Sequence, residues 1–199
     1  MIEIRNLSKS YNGKIIFNNL SSDIKTGECT AFMGQSGIGK TTLLRCIAGL
    51  ETADSGSIRG MENMKKSFVF QENRLLPHLS VLQNILCVTD DKDKALHYLE
   101  KTFLIDDKSK KCSQLSGGMK RRLAIAKALA FGGDFFYLDE PLRELDEDTN
   151  EKIMQLLKQE IKGKTSILIT HDINHAHFLA DRHIFFRGLP MEIEKDVAL

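Results

Sequence analysis

The chain has almost no net charge: 28 Lys and Arg stand against 27 Asp and Glu, a formal balance of +1 over 199 residues. That removes any bulk electrostatic case for nucleic acid or an anionic membrane surface. Disulfide and metal frameworks are also missing. The four cysteines (Cys29, Cys46, Cys87 and Cys112) are scattered, with no C-x-x-C pair and no histidine at ligand spacing, so a reducing compartment is the simplest fit. Cys29, Cys46 and Cys87 sit among apolar neighbours and are expected in the core; Cys112, beside Lys110 and Lys111, is expected at the surface. No apolar run approaches the ~18 residues needed to cross a bilayer, and the longest candidate, Leu123 to Leu138, is broken by Lys127 and Asp134. No signal peptide is visible at the N-terminus, so any membrane role is expected from outside the lipid. There is no internal repeat, low-complexity tract or linker. The length suits one substantial core.

What the chain does have is Gly34-Gln35-Ser36-Gly37-Ile38-Gly39-Lys40-Thr41-Thr42, which fits G-x-x-x-x-G-K-[ST]. The apolar Glu28–Met33 segment before it reads as a buried strand, and Thr42 to Gly49 after it as a helix. In that setting the glycines let backbone N–H groups face a polyphosphate and the helix N-terminus adds partial positive charge. Lys40 is then expected to reach the β- and γ-phosphates, and the Thr41 hydroxyl to sit on Mg²⁺.

Elsewhere, Met1 to Arg5 and Ile15 to Ile24 alternate as antiparallel strands around an Asn12-Gly13 turn. Asp54 to Ser57 marks a turn and Ser67 to Phe70 a short strand. Ser80 can cap a helix through Leu86, and Ala95, Leu96, Leu99 and Phe103 follow at helical spacing. A helix is expected from Ser116 to about Phe131, burying Leu123, Ile125, Ala126, Leu129 and Ala130. Strand residues return at Asp134–Leu138 and Ser166–Ile169, separated by a charged helix from about Glu147 to Lys162. Asp172 to Ala180 is helical, and a terminal hairpin turns at Gly188. Strands alternating with helices imply a parallel α/β core, with a helical insertion at about 72–131 and core lobes at about 1–71 and 132–199, all in one domain.

Two further stretches carry chemistry. Phe135 to Leu138 is an apolar strand ending in Asp139-Glu140. In phosphate-loop ATPases an Asp at such a strand end holds Mg²⁺, and the next acid, pointing to the other side of the strand, can polarise an attacking water. Leu115-Ser116-Gly117-Gly118-Met119 places two glycines after a capping Ser, a second set of N–H groups at a helix N-terminus. One nucleotide does not obviously need two anion cradles in one polypeptide; two copies packed head-to-tail would use both.

With these motifs in hand, the sequence resembles the ATP-binding subunits of ABC (ATP-binding cassette) transporters over nearly its whole length. The resemblance implies a phosphate-loop core with an N-terminal antiparallel β subdomain and an inserted helical subdomain. By resemblance Tyr11 stacks on adenine, Gly34 to Thr42 hold phosphate and magnesium, and Gln71 touches Mg²⁺ and senses the membrane partner. Ser116, Gly117 and Gly118 close on the γ-phosphate from the opposite subunit. Asp139 is the magnesium aspartate, Glu140 the general base, Asp146 the aspartate of the inter-subunit loop and His171 the γ-phosphate switch. The family usually has small residues where Arg143-Glu144 stand, so detailed contacts there are expected to differ; His175 replaces a common acid. The implied partners are a second copy on ATP binding, an integral membrane permease received near Arg74 to His78, and an extracytoplasmic solute-binding protein, but no nucleic acid. The implied place is the cytoplasmic face of the membrane, with the isolated subunit soluble. The sequence runs to Leu199, so regulation through the C-terminal domain of some relatives is not expected. Motif details favour nitrate, sulfonate or taurine-type importers. A soluble ABC ATPase outside transport, a non-catalytic nucleotide-binding regulator and an exporter ATPase are the alternatives. Intact Gln71, Glu140 and His171 argue against the regulator.

Overall fold

A computed structural model describes all residues, 1–199. Two sheets organise it. Strands β1 (Ile2–Tyr11), β2 (Lys14–Ile24) and β4 (Ser55–Arg59) form an antiparallel sheet in the order β2-β1-β4. The second sheet has six strands: β3 (Cys29–Met33), β5 (Lys66–Val69), β6 (Phe135–Asp139), β7 (Thr165–Ile169), β8 (Arg182–Arg187) and β9 (Glu192–Ala198). Its order is β5-β6-β7-β3-β8-β9, parallel except for the β8–β9 hairpin.

The central strands β3, β6 and β7 are buried at every position, as a parallel sheet covered on both faces requires. Alternate residues feed two cores. Ala31, Met33, Phe136, Leu138 and Leu168 join one cluster with α2 (Val81–Leu86), α3 (Lys92–Lys101), α4 (Gly117–Phe131), α5 (Glu147–Ile161) and α6 (Ile173–Leu179). Phe32, Phe135, Tyr137, Ile167 and Ile169 join the other with β1, β2 and α1 (Lys40–Ala48). Three helices thus lie between β5 and β6, and α4 passes beneath the sheet. It is buried nearly all round, so its apolar set extends beyond the expected stripe to Ala124 and Ala128 and takes in Arg121.

Several sequence expectations are corrected. Asp54 to Ser57 does not form a turn alone: Ser55–Arg59 is strand β4, paired to β1 with a register shift between Arg5 and Ser8. Its exposed, Ser- and Gly-containing sequence hides the strand because edge pairing, not burial, defines it. Phe103 lies beyond the end of α3, with φ +57° and half its surface exposed. The cysteine assignment exchanges two members: Cys112 is buried, its N–H donating to the Leu79 carbonyl, and Cys87, the C-terminal cap of α2, is exposed. The lysines beside Cys112 point outward from a short 3₁₀ turn whose first residue faces the core.

Candidate nucleotide site

Sheet topology brings four loops together. The segments after β5, β6, β7 and β3 all leave the carboxyl ends of neighbouring parallel strands, where open α/β sheets form their ligand crevice. A cleft of about 340 Å³ there is lined by Gly34, Ser36, Gly37, Gly39, Lys40, Thr41, Thr42, Gln71, Asp139, Glu140, Ile169 and His171.

Its floor is an anion cradle. Helix α1 begins at Gly39 without a side-chain cap, and the backbone N–H groups of Gly37 to Thr42 donate to no acceptor in the protein. Uncapped N–H groups and the helix dipole together favour a polyanion. Gly39 has φ +119°, and a Cβ there would stand 2.4 Å from Ile16 Cγ2, so both the conformation and the space exclude other residues. Lys40 is nearly buried; its ammonium donates to the carbonyls of Gly34 (2.8 Å) and Gln35 (2.7 Å). Burial pulls its pKa down, opposed by the Glu140 and Asp139 charges.

On the wall, the Thr41 hydroxyl donates to Asp139 Oδ2 (3.0 Å), which also accepts from the Tyr137 phenol (3.2 Å). Burial raises the Asp139 pKa although both donors oppose the shift. The two carboxylates do not point to opposite sides of a strand as their adjacency suggests. β6 ends at Asp139, and Glu140 turns into the left-handed region (φ +49°), so both line the same cleft. Glu140 holds that sparsely populated conformation through its N–H to the Ile169 carbonyl (2.9 Å), and its Oε1 is 2.9 Å from His171 Nδ1.

Arg121, absent from the sequence-based candidates, binds this wall from behind. It is 2% exposed, and its guanidinium donates to the carbonyls of Phe70 (2.5 Å), Asp139 (2.7 Å), Pro141 (3.0 Å) and Glu140. It also reaches Asn73 Oδ1 at 3.2 Å. Desolvation lowers its pKa to about 10. In sequence it is one of three consecutive basic residues on a helix, and only the burial of α4 distinguishes it.

The remaining candidates lie apart. Gln35 and Ile38 belong to the loop but do not line the cleft, and Ile38 packs in the core beneath it. Tyr11, at the end of β1, is partly exposed; its hydroxyl donates to the Glu51 carboxylate and neighbours Thr42. Ser116, Gly117, Gly118 and Asp146 are outside the cleft. Ser116 caps α4, accepting from the Met119 N–H (3.2 Å), and Asp146 caps α5, accepting from the Thr149 N–H (3.0 Å). A second cleft, of about 260 Å³, runs between β5 and α4 with Phe68, Phe70, Val88 and Phe131 in its walls and Lys66, Arg74 and Lys127 among its polar residues. Arg74 lines it, but Leu75 to His78 do not. No helix is long and apolar enough to cross a membrane.

Comparison with known proteins identifies the family. The ABC transporter family model matches residues 17–143. The chain is 34% identical over 218 residues to an arginine transport ATP-binding protein of Bacillus subtilis, covering 96% of this chain and 90% of that protein. It is 37% identical over 192 residues to an aliphatic sulfonates import ATP-binding protein of Paraburkholderia xenovorans, covering 94% and 77%. Among solved structures it is similar to an ATP-binding cassette in a dimeric, post-hydrolysis state bound to ADP and Pi, with a TM-score of 0.89, 32% identity, and coverage of 100% and 99%. The chain therefore belongs to the ABC transporter family, as one of its ATP-binding and ATP-hydrolysing subunits.

Proposed function

We propose that this ATPase drives import of a small solute through a separate membrane permease, and that it works as two copies closing on two ATP molecules. The observation that carries the reading is the separation of two anion cradles. The loop ahead of α1 faces a cleft that also holds Asp139, Glu140 and His171, while the N-terminus of α4 lies outside that cleft. A second copy, turned head-to-tail, would bring Ser116, Gly117 and Gly118 onto the γ-phosphate held by the first. ATP would then favour the closed pair and ADP would not, because only ATP carries the bridging group.

Within the cleft, the N–H groups of Gly37 to Thr42 bind the phosphate chain and Lys40 exchanges its loop carbonyls for β- and γ-phosphate oxygens. Tyr11 stacks on adenine at the rim. The Thr41 hydroxyl, the Asp139 carboxylate and the Gln71 amide are hard oxygen donors of the kind Mg²⁺ takes, and the first two already meet at 3.0 Å. Mg²⁺, when bound there, neutralises charge on the β- and γ-phosphates. Glu140 accepts a proton from a water whose oxygen attacks the γ-phosphorus. The bond from that phosphorus to the β–γ bridging oxygen breaks, and ADP leaves with the electron pair. Lys40 stabilises the charge that develops, and His171 steadies Glu140 and reaches for the γ-phosphate, while Asp146 and its loop lie at the seam between copies.

The aromatic-lined cleft beside Gln71 and Arg74 is suited to a short segment of the permease, which would place the subunit on the cytoplasmic face of the membrane. An extracytoplasmic solute-binding protein would complete an import system. The test is Glu140→Gln. It should leave ATP binding intact, trap the closed pair and reduce phosphate release by about 100-fold or more, the low end for a general base. Wild-type turnover in that variant removes Glu140 from the role.

A further inference from the structure

Strands β5 and β6 pair as far as Val69 and Leu138. Beyond that pair, Gln71 on one side and Asp139 and Glu140 on the other line the nucleotide cleft. The buried Arg121 guanidinium bridges the two segments. It donates on one side to the carbonyls of Phe70 (2.5 Å) and Gln71 (3.4 Å) and to Asn73 Oδ1 (3.2 Å). On the other side it donates to the carbonyls of Asp139 (2.7 Å), Glu140 and Pro141 (3.0 Å). Nη1 serves the first segment, Nη2 and Nε the second, so one rigid planar fork sets their spacing. The neighbouring Arg122 instead donates to the carbonyls of Thr102 and Phe103. Glu140 needs such support. Its φ of +49° is a conformation that non-glycine residues hold only where the surroundings fix it. Its N–H is fixed by the Ile169 carbonyl (2.9 Å) and its own carbonyl by Arg121. With both peptide groups held, the side chain leaves toward the cleft, where Oε1 stands 2.9 Å from His171 Nδ1.

We infer that Arg121 is a positioning residue for hydrolysis: by gripping the backbone behind both segments, it holds the Glu140 carboxylate where it takes the proton of the attacking water. The inference rests on the general-base reading of Glu140 above. Arg121 does not line the cleft, so it acts through Glu140 and not on the nucleotide. The phosphate cradle of Gly37 to Thr42 is built by other residues, and none of them bonds to the guanidinium. Loss of Arg121 therefore falls on the rate of the chemical step and spares ATP binding. Lysine cannot stand in, because a single ammonium on a flexible stem lacks the fork that spans both segments.

The experiment is a double-mutant cycle between Arg121→Lys and Glu140→Gln. It reads single-turnover phosphate release, with binding of a fluorescent ATP analogue measured on each protein. Arg121→Lys alone should slow release by about 10-fold or more, within the roughly 100-fold that a misplacement of about 1 Å can cost, and should bind the analogue as wild type does. In the Glu140→Gln background the same substitution should slow release no further, because the group it positions is gone. A fold merely weakened would slow both backgrounds by the same factor, and that result overturns the inference. So does wild-type release by Arg121→Lys, or a folded Arg121→Lys protein that no longer binds the analogue. Asn73→Ala removes a partly buried acceptor of the guanidinium without stranding a backbone carbonyl, and it decides the matter should Arg121→Lys fail to fold. It should give a smaller loss of rate, again absent in the Glu140→Gln background; an unchanged rate overturns the inference. If Glu140→Gln alone releases phosphate at the wild-type rate, the general-base reading itself fails, and the inference with it.

Discussion

Asp139 shows at the scale of one residue how a site conflicts with the stability of its fold. The carboxylate is 2% exposed, and burial pushes its pKa above the usual range despite hydroxyl donors from Thr41 and Tyr137. In the folded, nucleotide-free protein the ionised form is therefore a cost at every pH above that shifted value, and protonation on acidification relieves it. Asp139→Asn should accordingly melt at a higher temperature than wild type at pH 7, by about 2–4 °C per kcal/mol relieved for a chain of this size. The gap should close as the pH falls through the raised carboxylate pKa, while ATP hydrolysis is lost. Thermal melts across pH check this; an Asn variant melting at or below wild type at pH 7 contradicts it. The conflict was not legible from Asp139-Glu140 in sequence. The pair marked the chemistry, but strand alternation placed the two acids on opposite sides, whereas the left-handed backbone at Glu140 sets them on one cleft.

At the scale of an element, helix α4 joins its own anion cradle to the acidic wall of the nucleotide cleft. Its first turn carries Ser116, Gly117 and Gly118, and its second carries Arg121, whose guanidinium holds the carbonyls behind Asp139 and Glu140. The two ends of the proposed machine are thereby fastened to one rigid rod. Arg121→Leu would strand several buried carbonyls, each worth roughly 1–3 kcal/mol, so a loss of about 3 kcal/mol or more is expected from denaturant midpoints. Arg121→Lys, which keeps the charge without the planar fork, should fall between. A Leu variant costing under about 1 kcal/mol would show that the carbonyls find other donors. The existence of α4 and its capping Ser were plain from sequence. The exposed β4 strand was not, because its pairing with β1 leaves no apolar stripe, and Phe103 kept helical spacing past the point where α3 stops.

At the scale of the whole molecule, the parallel sheet divides two cores and gathers the loops at one edge, yet leaves the α4 cradle outside the cleft. On the proposed reading, function then depends on a second copy. Ser116→Arg, made in the Glu140→Gln background, should bind a fluorescent ATP analogue normally and form no ATP-induced dimer by sedimentation, because the long side chain would fill the seam. A dimer of unaltered strength would count against the composite site.

The sequence by itself determined the α/β order of elements, the phosphate loop and the acids, because each is a local pattern of backbone freedom, apolar periodicity and charge. Only the tertiary structure decided that β5, β6, β7 and β3 deliver their ends to one cleft and that Arg121 is buried behind it. These contacts join segments distant in the chain. Their partners are chosen by sheet order and packing, which no short stretch of residues encodes.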